Sequence, residues 1–155
     1  MSRHSFHLAQ VNVAQMRAPL TDPLMQDFVA GLDPINRLAD QSPGFVWRLQ
    51  TAAGDATSLR VFDNELIIVN LSVWESSEAL KGYVYRSQHV EFLRRRQEWF
   101  TKLASMHLAM WWLSAGALPT VEDARAKLEY LAQHGDTAEA FTFRKVFPPP
   151  AQLQQ

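Results

Sequence analysis

The residues with the clearest chemical potential lie in the segment YRSQHVEFLRRRQEWF, positions 85–100. With about 100° of rotation per residue, a helix over this segment would place five side chains on one narrow face: Tyr85, His89, Phe92, Arg96 and Trp99. A neutral imidazole there can accept a proton from a phenol or ligate iron. A guanidinium can hold a carboxylate or an enolate oxygen. His89 and Arg96 are therefore candidate catalytic residues, and the three aromatic residues are candidate substrate contacts.

The same stripe also has a structural interpretation. A lone histidine on an apolar helix face can be hydrogen-bonded to a neighbouring element, and one histidine does not define a metal site. Arg96 can instead form an internal ion pair, because a buried guanidinium requires a partner. Both interpretations stay open at the level of sequence.

A second polar group lies on a predicted strand, 66–74. Period-two alternation gives this strand one aliphatic face and one mixed face that carries Asn70, Ser72 and Trp74. Polar groups in an apolar concavity are typical of small-molecule sites, so these three are candidate substrate-binding residues. The alternative is that the amide and the hydroxyl satisfy backbone groups at a strand end. We expect the aliphatic face to meet helices and the mixed face to line a barrel interior.

Composition excludes several classes of function. The formal net charge is −1, so the chain lacks the excess of basic residues that binding to nucleic acid requires. It contains no cysteine, which excludes disulfides and thiolate metal sites. It also lacks GxGxxG, a signal peptide pattern and a long apolar run. We predict a cytoplasmic protein with no metal site and no membrane contact, acting on a small hydrophobic or aromatic molecule.

Secondary-structure patterns predict the order β-α-β-β-α-β-α-β. Its first six elements have the split βαβ order of ferredoxin-like domains, an α+β class with an antiparallel sheet and helices on one face. The predicted strands are 6–14, 45–50, 66–74, 106–114 and 140–147. The predicted helices begin at a cap at Thr21 or Asp22, at Ser76 or Ser77, and at Thr120; the second continues through 88–103, divided at Gly82. We assign 1–147 to one domain and 148–155, rich in proline, to a flexible tail.

Both faces of the strand 106–114 are apolar, since Leu108, Met110 and Trp112 alternate with Ala109, Trp111 and Leu113. A sheet with one wet face would alternate apolar and polar residues. Crossovers of one hand place their helices on one face, so a second copy of the chain is expected to cover the other. The sequence thus predicts a homodimer.

Five segments resemble a known family: SPGFVWRLQ at 42–50, VNLSVWES at 69–76, the 85–100 segment, MWWLSAGALPTVEDA at 110–124 and AFTF at 140–143. They resemble an uncharacterised bacterial single-domain family of the dimeric α+β barrel group, whose best-known members are antibiotic-biosynthesis-type monooxygenases. The resemblance implies a homodimeric barrel and monooxygenase-like chemistry on a small aromatic substrate, without a cofactor. The alternative is a non-catalytic homodimer that binds a small ligand, including haem with His89 as axial ligand.

Overall fold

An antiparallel sheet of five strands forms the centre of the protein. The computed structural model describes residues 6–19, 21–49, 67–86, 94–101 and 108–149. The strands are β1 (Phe6–Met16), β2 (Phe45–Arg48), β3 (Ile67–Trp74), β4 (Phe100–Thr101) and β5 (Leu108–Ser114). The helices are α1 (Gln26–Gln41), α2 (Ser77–Arg86), the single turn α3 (Arg96–Trp99) and α4 (Val121–His134).

The first strand, β1, lies between the others. It pairs antiparallel with β3 along one edge, in a register that runs from Leu8 opposite Trp74 to Gln15 opposite Ile67. Along its other edge it pairs with β5 and then with β4. β2 pairs with the outer edge of β3. The split βαβ order and the antiparallel α+β class predicted from the sequence are thereby confirmed.

Helices cover both faces of the sheet. The aliphatic face of β3 packs with the apolar residues of α4, including Leu128 and Leu131. The mixed face packs with α1 and α2 at one end of the sheet, where Trp74 contacts the cluster that holds Ala39 and Leu80. The expectation that the mixed face lines an intersubunit barrel is therefore wrong. The crossover helices α1 and α2 lie on the same face, as their common handedness requires, and that face is the mixed one.

Two predicted elements have other boundaries in the structure. The helix predicted over 88–103 ends at Trp99, because Phe100 and Thr101 extend to pair with the end of β1. The strand predicted over 140–147 is reduced to one bridge between Met110 and Phe141. The predicted division at Gly82 is also absent, since α2 runs through this residue, and α1 likewise continues through Gly31 and Pro34.

Two local devices fix the helices in place. Thr120 and Asp123 form a reciprocal capping box at the start of α4, which confirms the predicted cap. Gly44, in the turn before β2, has φ +82°, and a Cβ at this position would overlap the Cβ of Ala79 in α2. The Gly44 carbonyl also accepts a hydrogen bond from the Glu75 N–H at 2.8 Å. A glycine at this turn therefore lets α2 pack directly against the start of β2.

Candidate functional site

Polar side chains of β1 and β3 form a hydrogen-bonded group on the mixed face of the sheet. We call Gln10, Asn70 and Ser72 the central polar cluster. Gln10 Nε2 donates to Ser72 Oγ at 2.8 Å and to Asn70 Oδ1 at 3.1 Å. The indole Nε1 of Trp74 donates to the same Ser72 Oγ at 2.9 Å. Gln10 and Ser72 are buried, so these contacts satisfy groups that have little access to water.

The cluster lies between two apolar regions of the same face. On one side is the cluster of Trp74 and its neighbours, and on the other are Met16, Met25, Phe28 and Trp99. Between them Asn70 is exposed, as is Asn12, the residue directly opposite it on β1. An exposed amide flanked by apolar walls can bind a molecule with an apolar body and one polar edge.

Trp74 is held in place by two other rings. The Tyr83 ring of α2 is stacked on it at 5.2 Å with an interplanar angle of 29°, and Phe45 meets it edge-on at 5.4 Å. The Tyr83 hydroxyl donates to the Ile35 carbonyl of α1 at 3.3 Å. Burial raises the pKa of the Tyr83 phenol, while the charge of nearby Arg48 opposes this effect. Tyr83 therefore stays protonated in neutral solution and couples both crossover helices to Trp74.

Arg48 of β2 places a positive charge beside the central polar cluster, on the same face of the sheet as Ser72. It lies opposite Ser72 in the register and forms a two-point ion pair with Asp40 of α1, with Nε to Oδ1 at 2.8 Å and Nη2 to Oδ2 at 3.2 Å. Its side chain is only 14% exposed. This pairing holds the C-terminal end of α1 over the sheet.

Neither Arg48 nor Gln10 is among the site residues predicted from the sequence. Strict alternation puts Arg48 on the face opposite Phe45, but a register shift between Phe45 and Trp47 returns it to the face of Ser72. Nothing in a single strand predicts such an irregularity. A signal for Gln10 did exist, since Gln10 and Asn12 are polar residues that alternate along an otherwise apolar strand. The partners of Gln10 could be predicted only with knowledge that β1 pairs with β3.

The structure brings together three of the predicted site residues, Asn70, Ser72 and Trp74. Trp99 is buried in the other apolar region, where its ring lies 5.5 Å from that of Phe28. Tyr85 lies in the last turn of α2 and Arg96 begins α3. His89 and Phe92 lie outside the described residues. The roles assigned to the stripe at 85–100 therefore stay predictions.

Neither a metal site nor a membrane-spanning helix is found in the part of the chain that the structure describes. No group of three or more His, Asp or Glu side chains there could hold a metal ion. In the same residues, no helix combines the length and the hydropathy needed to cross a membrane.

Fold and sequence together define an α+β sheet protein of a family without an assigned activity. The chain belongs to the family described as a domain of unknown function, DUF3291, whose model matches residues 7–155. This confirms the predicted membership of an uncharacterised family. The chain matches no curated protein.

Several solved structures are similar to the chain. SnoaB, a cofactor-independent oxygenase from Streptomyces nogalater, is 16% identical, with a TM-score of 0.48 over 74% of this chain and 98% of that chain. PA3566 from Pseudomonas aeruginosa is 13% identical, with a TM-score of 0.49 over 75% of this chain and 100% of that one. A putative antibiotic biosynthesis monooxygenase from Nitrosomonas europaea is 12% identical, with a TM-score of 0.46 over 75% and 95%. At these identities the likenesses assign no reaction to this chain.

Proposed function

We propose that this protein is a cofactor-independent, monooxygenase-like enzyme that oxidises a small aromatic substrate at the central polar cluster. The observation that carries this proposal is the exposed Asn70 amide between two apolar regions, beside the stacked Trp74 and Tyr83 rings. Aromatic walls accept a flat ring, and an amide recognises an oxygen at its edge. The family resemblance of the sequence points to the same chemistry.

The proposed reaction converts an activated CH₂ group next to an ionised phenol into a ketone, with O₂ as oxidant. One oxygen atom enters the product and the other leaves as water, so that R₂CH₂ + O₂ gives R₂CO + H₂O. His89 is the proposed base that removes the phenol proton. Asn70 and Arg96 are the proposed donors that stabilise the resulting oxyanion. The apolar regions would limit the access of water to the reactive carbanion.

Oxygen uptake with a panel of anthrone-type and naphthol-type phenols tests this function. We expect His89→Ala to slow uptake by about 10²-fold or more, because general bases contribute roughly 10²–10⁴-fold. Asn70→Ala should slow it by about 10²-fold, in the range found for single oxyanion donors. His134→Ala is the matched control, since His134 is exposed at the end of α4 on the opposite face. The absence of uptake with every phenol, or full activity of His89→Ala, would contradict the proposal.

Ligand binding without oxygen uptake would instead favour a non-catalytic binding protein. Expression with added haem tests whether haem is the ligand of such a binding protein. Haem bound through His89 would give a Soret band, and His89→Ala would remove it. Native mass spectrometry of the same samples tests the proposed homodimer and detects any small molecule that the protein retains.

A further inference from the structure

At one end of the central polar cluster, the indole of Trp74 occupies one of the two acceptor sites of Ser72 Oγ. An indole N–H can only donate, so Ser72 Oγ must accept at that contact, which measures 2.9 Å. The indole cannot turn away, because Trp74 is 1% exposed and packs between Phe45 and Tyr83. The position of Ser72 Oγ is therefore fixed by a donor that has no alternative role.

Gln10 of β1 gives the hydrogen bonds of the cluster their direction, because it donates to both side chains of β3. Its Nε2 has two N–H groups, and the two acceptors within reach are Ser72 Oγ at 2.8 Å and Asn70 Oδ1 at 3.1 Å. Gln10 is 7% exposed, so its side chain exchanges these partners for water only at a cost. Asn70 in turn has its carbonyl oxygen engaged as an acceptor, so the group that this exposed side chain can offer to a ligand is its Nδ2 donor.

We propose that Gln10 is a positioning residue that, together with Ser72, turns the Asn70 amide so that it donates to the ionised oxygen of a phenolate or enolate ligand. A site that offers N–H donors favours an oxyanion over a protonated hydroxyl, since hydrogen bonds to charged groups are roughly twice as strong. The inference adds the positioning role of Gln10 and the ionisation state of the bound ligand, and it rests on the proposed function for the aromatic ligand and for Asn70 as its hydrogen-bond donor.

If the amide groups of Gln10 and Asn70 were turned the other way, the site would favour the protonated ligand over the ionised one. In that opposite arrangement, Ser72 and Asn70 would both donate to Gln10 Oε1, and Asn70 would present its carbonyl oxygen to the ligand. Such a site would bind the protonated phenol better than the phenolate, because two acceptors facing each other repel. The ionisation state of a bound phenol therefore reports the direction of the whole chain of hydrogen bonds.

The test uses 4-nitrophenol, whose phenolate absorbs visible light and whose protonated form does not. We expect the wild-type protein to lower the pKa of the bound phenol, with a preference for the phenolate of about tenfold or more. Gln10→Met keeps the length of the side chain but removes its hydrogen bonds, so the preference should fall to within about threefold of none. Ser72→Ala removes the acceptor that holds Gln10, so we expect the preference for the phenolate to fall in the same way.

Two further variants separate orientation from charge. Gln10→Glu can only accept, so it should force the opposite arrangement and raise the pKa of the bound phenol above that of the free one. Asn12→Asp places an equal charge opposite Asn70 without entering the cluster, and its effect should be smaller. Affinity for 4-nitroanisole, which cannot ionise, should change less than twofold in Gln10→Met, which shows that the apolar walls are intact.

The inference is overturned if Gln10→Met and Ser72→Ala both keep the wild-type preference, or if the wild type binds the protonated phenol better. It is also overturned if 4-nitrophenol does not bind at millimolar concentration. Phenolate binding that depends on Gln10, in a protein that consumes no oxygen, would contradict the oxygenase proposal and leave the positioning role intact.

Discussion

Replacement of Gly44 by alanine should destabilise the protein more than the same replacement at Gly116, a glycine with a comparable backbone. Gly44 has φ +82° and Gly116 has φ +94°, so both have a positive φ that L residues rarely adopt. They differ in their surroundings. A Cβ on Gly44 would overlap Ala79 Cβ, whereas nothing lies within 4 Å of a Cβ on Gly116. A comparison of Gly44→Ala with Gly116→Ala therefore separates the cost of the overlap with Ala79 from the cost of a positive φ.

The expected magnitudes follow from these two contributions. The positive φ costs about 1 kcal/mol when a Cβ is added, and this cost applies to both variants. The overlap with Ala79 is of the kind that forces a backbone shift, at about 1–3 kcal/mol. Gly44→Ala should therefore lower the free energy of unfolding by about 2–4 kcal/mol, and Gly116→Ala by about 1 kcal/mol.

Urea unfolding followed by tryptophan fluorescence measures the difference, at one protein concentration because dimerisation would stabilise the fold. With an m-value of about 2 kcal/mol/M, the midpoint of Gly44→Ala should fall by about 1–2 M, and that of Gly116→Ala by about 0.5 M. The overlap should be relieved in the double variant Gly44→Ala with Ala79→Gly. This variant recovers the overlap energy less about 1 kcal/mol for glycine inside α2.

Equal losses for Gly44→Ala and Gly116→Ala would refute the argument, because they would show that α2 does not pack directly against the turn before β2. An additive double variant would refute it independently, since overlap between two Cβ atoms requires the two sites to be coupled.

Two other changes test the packing around the site. Tyr83→Phe should cost about 0.5–1.5 kcal/mol at neutral pH, because it removes the hydrogen bond to the Ile35 carbonyl. The pKa of the Tyr83 phenol is raised in the folded state, so its contribution is fully present below the unfolded pKa near 10 and is lost as pH rises through the folded value. The difference between wild type and Tyr83→Phe in urea should thus narrow above about pH 10, with Tyr130→Phe as control; a constant difference would argue against burial of the phenol. Thr120→Ala should lower the thermal midpoint by the equivalent of about 1 kcal/mol, because it breaks the capping box of α4. Gln133→Ala, at the exposed end of the same helix, should stay within about 0.5 kcal/mol of wild type, and a matching loss there would mean that the cap contributes nothing specific.

Local rules predicted much of the fold. The aliphatic and mixed faces of β3 followed from alternation, and the start of α4 followed from its capping residues, because each depends only on neighbouring residues. The mixed face was predicted to carry Asn70, Ser72 and Trp74 together, and these three residues do belong to one hydrogen-bonded group with Gln10; their role in binding stays a prediction. The placement of that face under α1 and α2 required knowledge of which way the crossovers turn.

Other features depended on contacts that the apolar pattern of a single segment does not show. The helical pattern around Trp99 suits a longer helix, but Phe100 and Thr101 pair with the end of β1 instead. The apolar residues after Ala140 read as a strand, yet Asp136 Oδ1 accepts hydrogen bonds from both the N–H and the hydroxyl of Thr142, which bends this segment. Arg48 reached the site through an irregularity in β2. At Phe100 and at Arg48 the pairing with another strand outweighed the local preference, whereas near Thr142 a hydrogen-bonded turn did so.

The central position of β1 has a consequence for how the protein is made. β1 leaves the ribosome before any of the strands that it pairs with. The partners of Ala9 are Val73 on one edge and Trp111 on the other, and Trp111 is synthesised last. At about 5–20 residues per second, the delay between Ala9 and Trp111 is roughly 5–20 s. During this time both edges of an apolar strand are open to other chains. We therefore expect newly made chains to be more vulnerable to aggregation than the folded protein, in which neighbouring strands shield β1 on both edges.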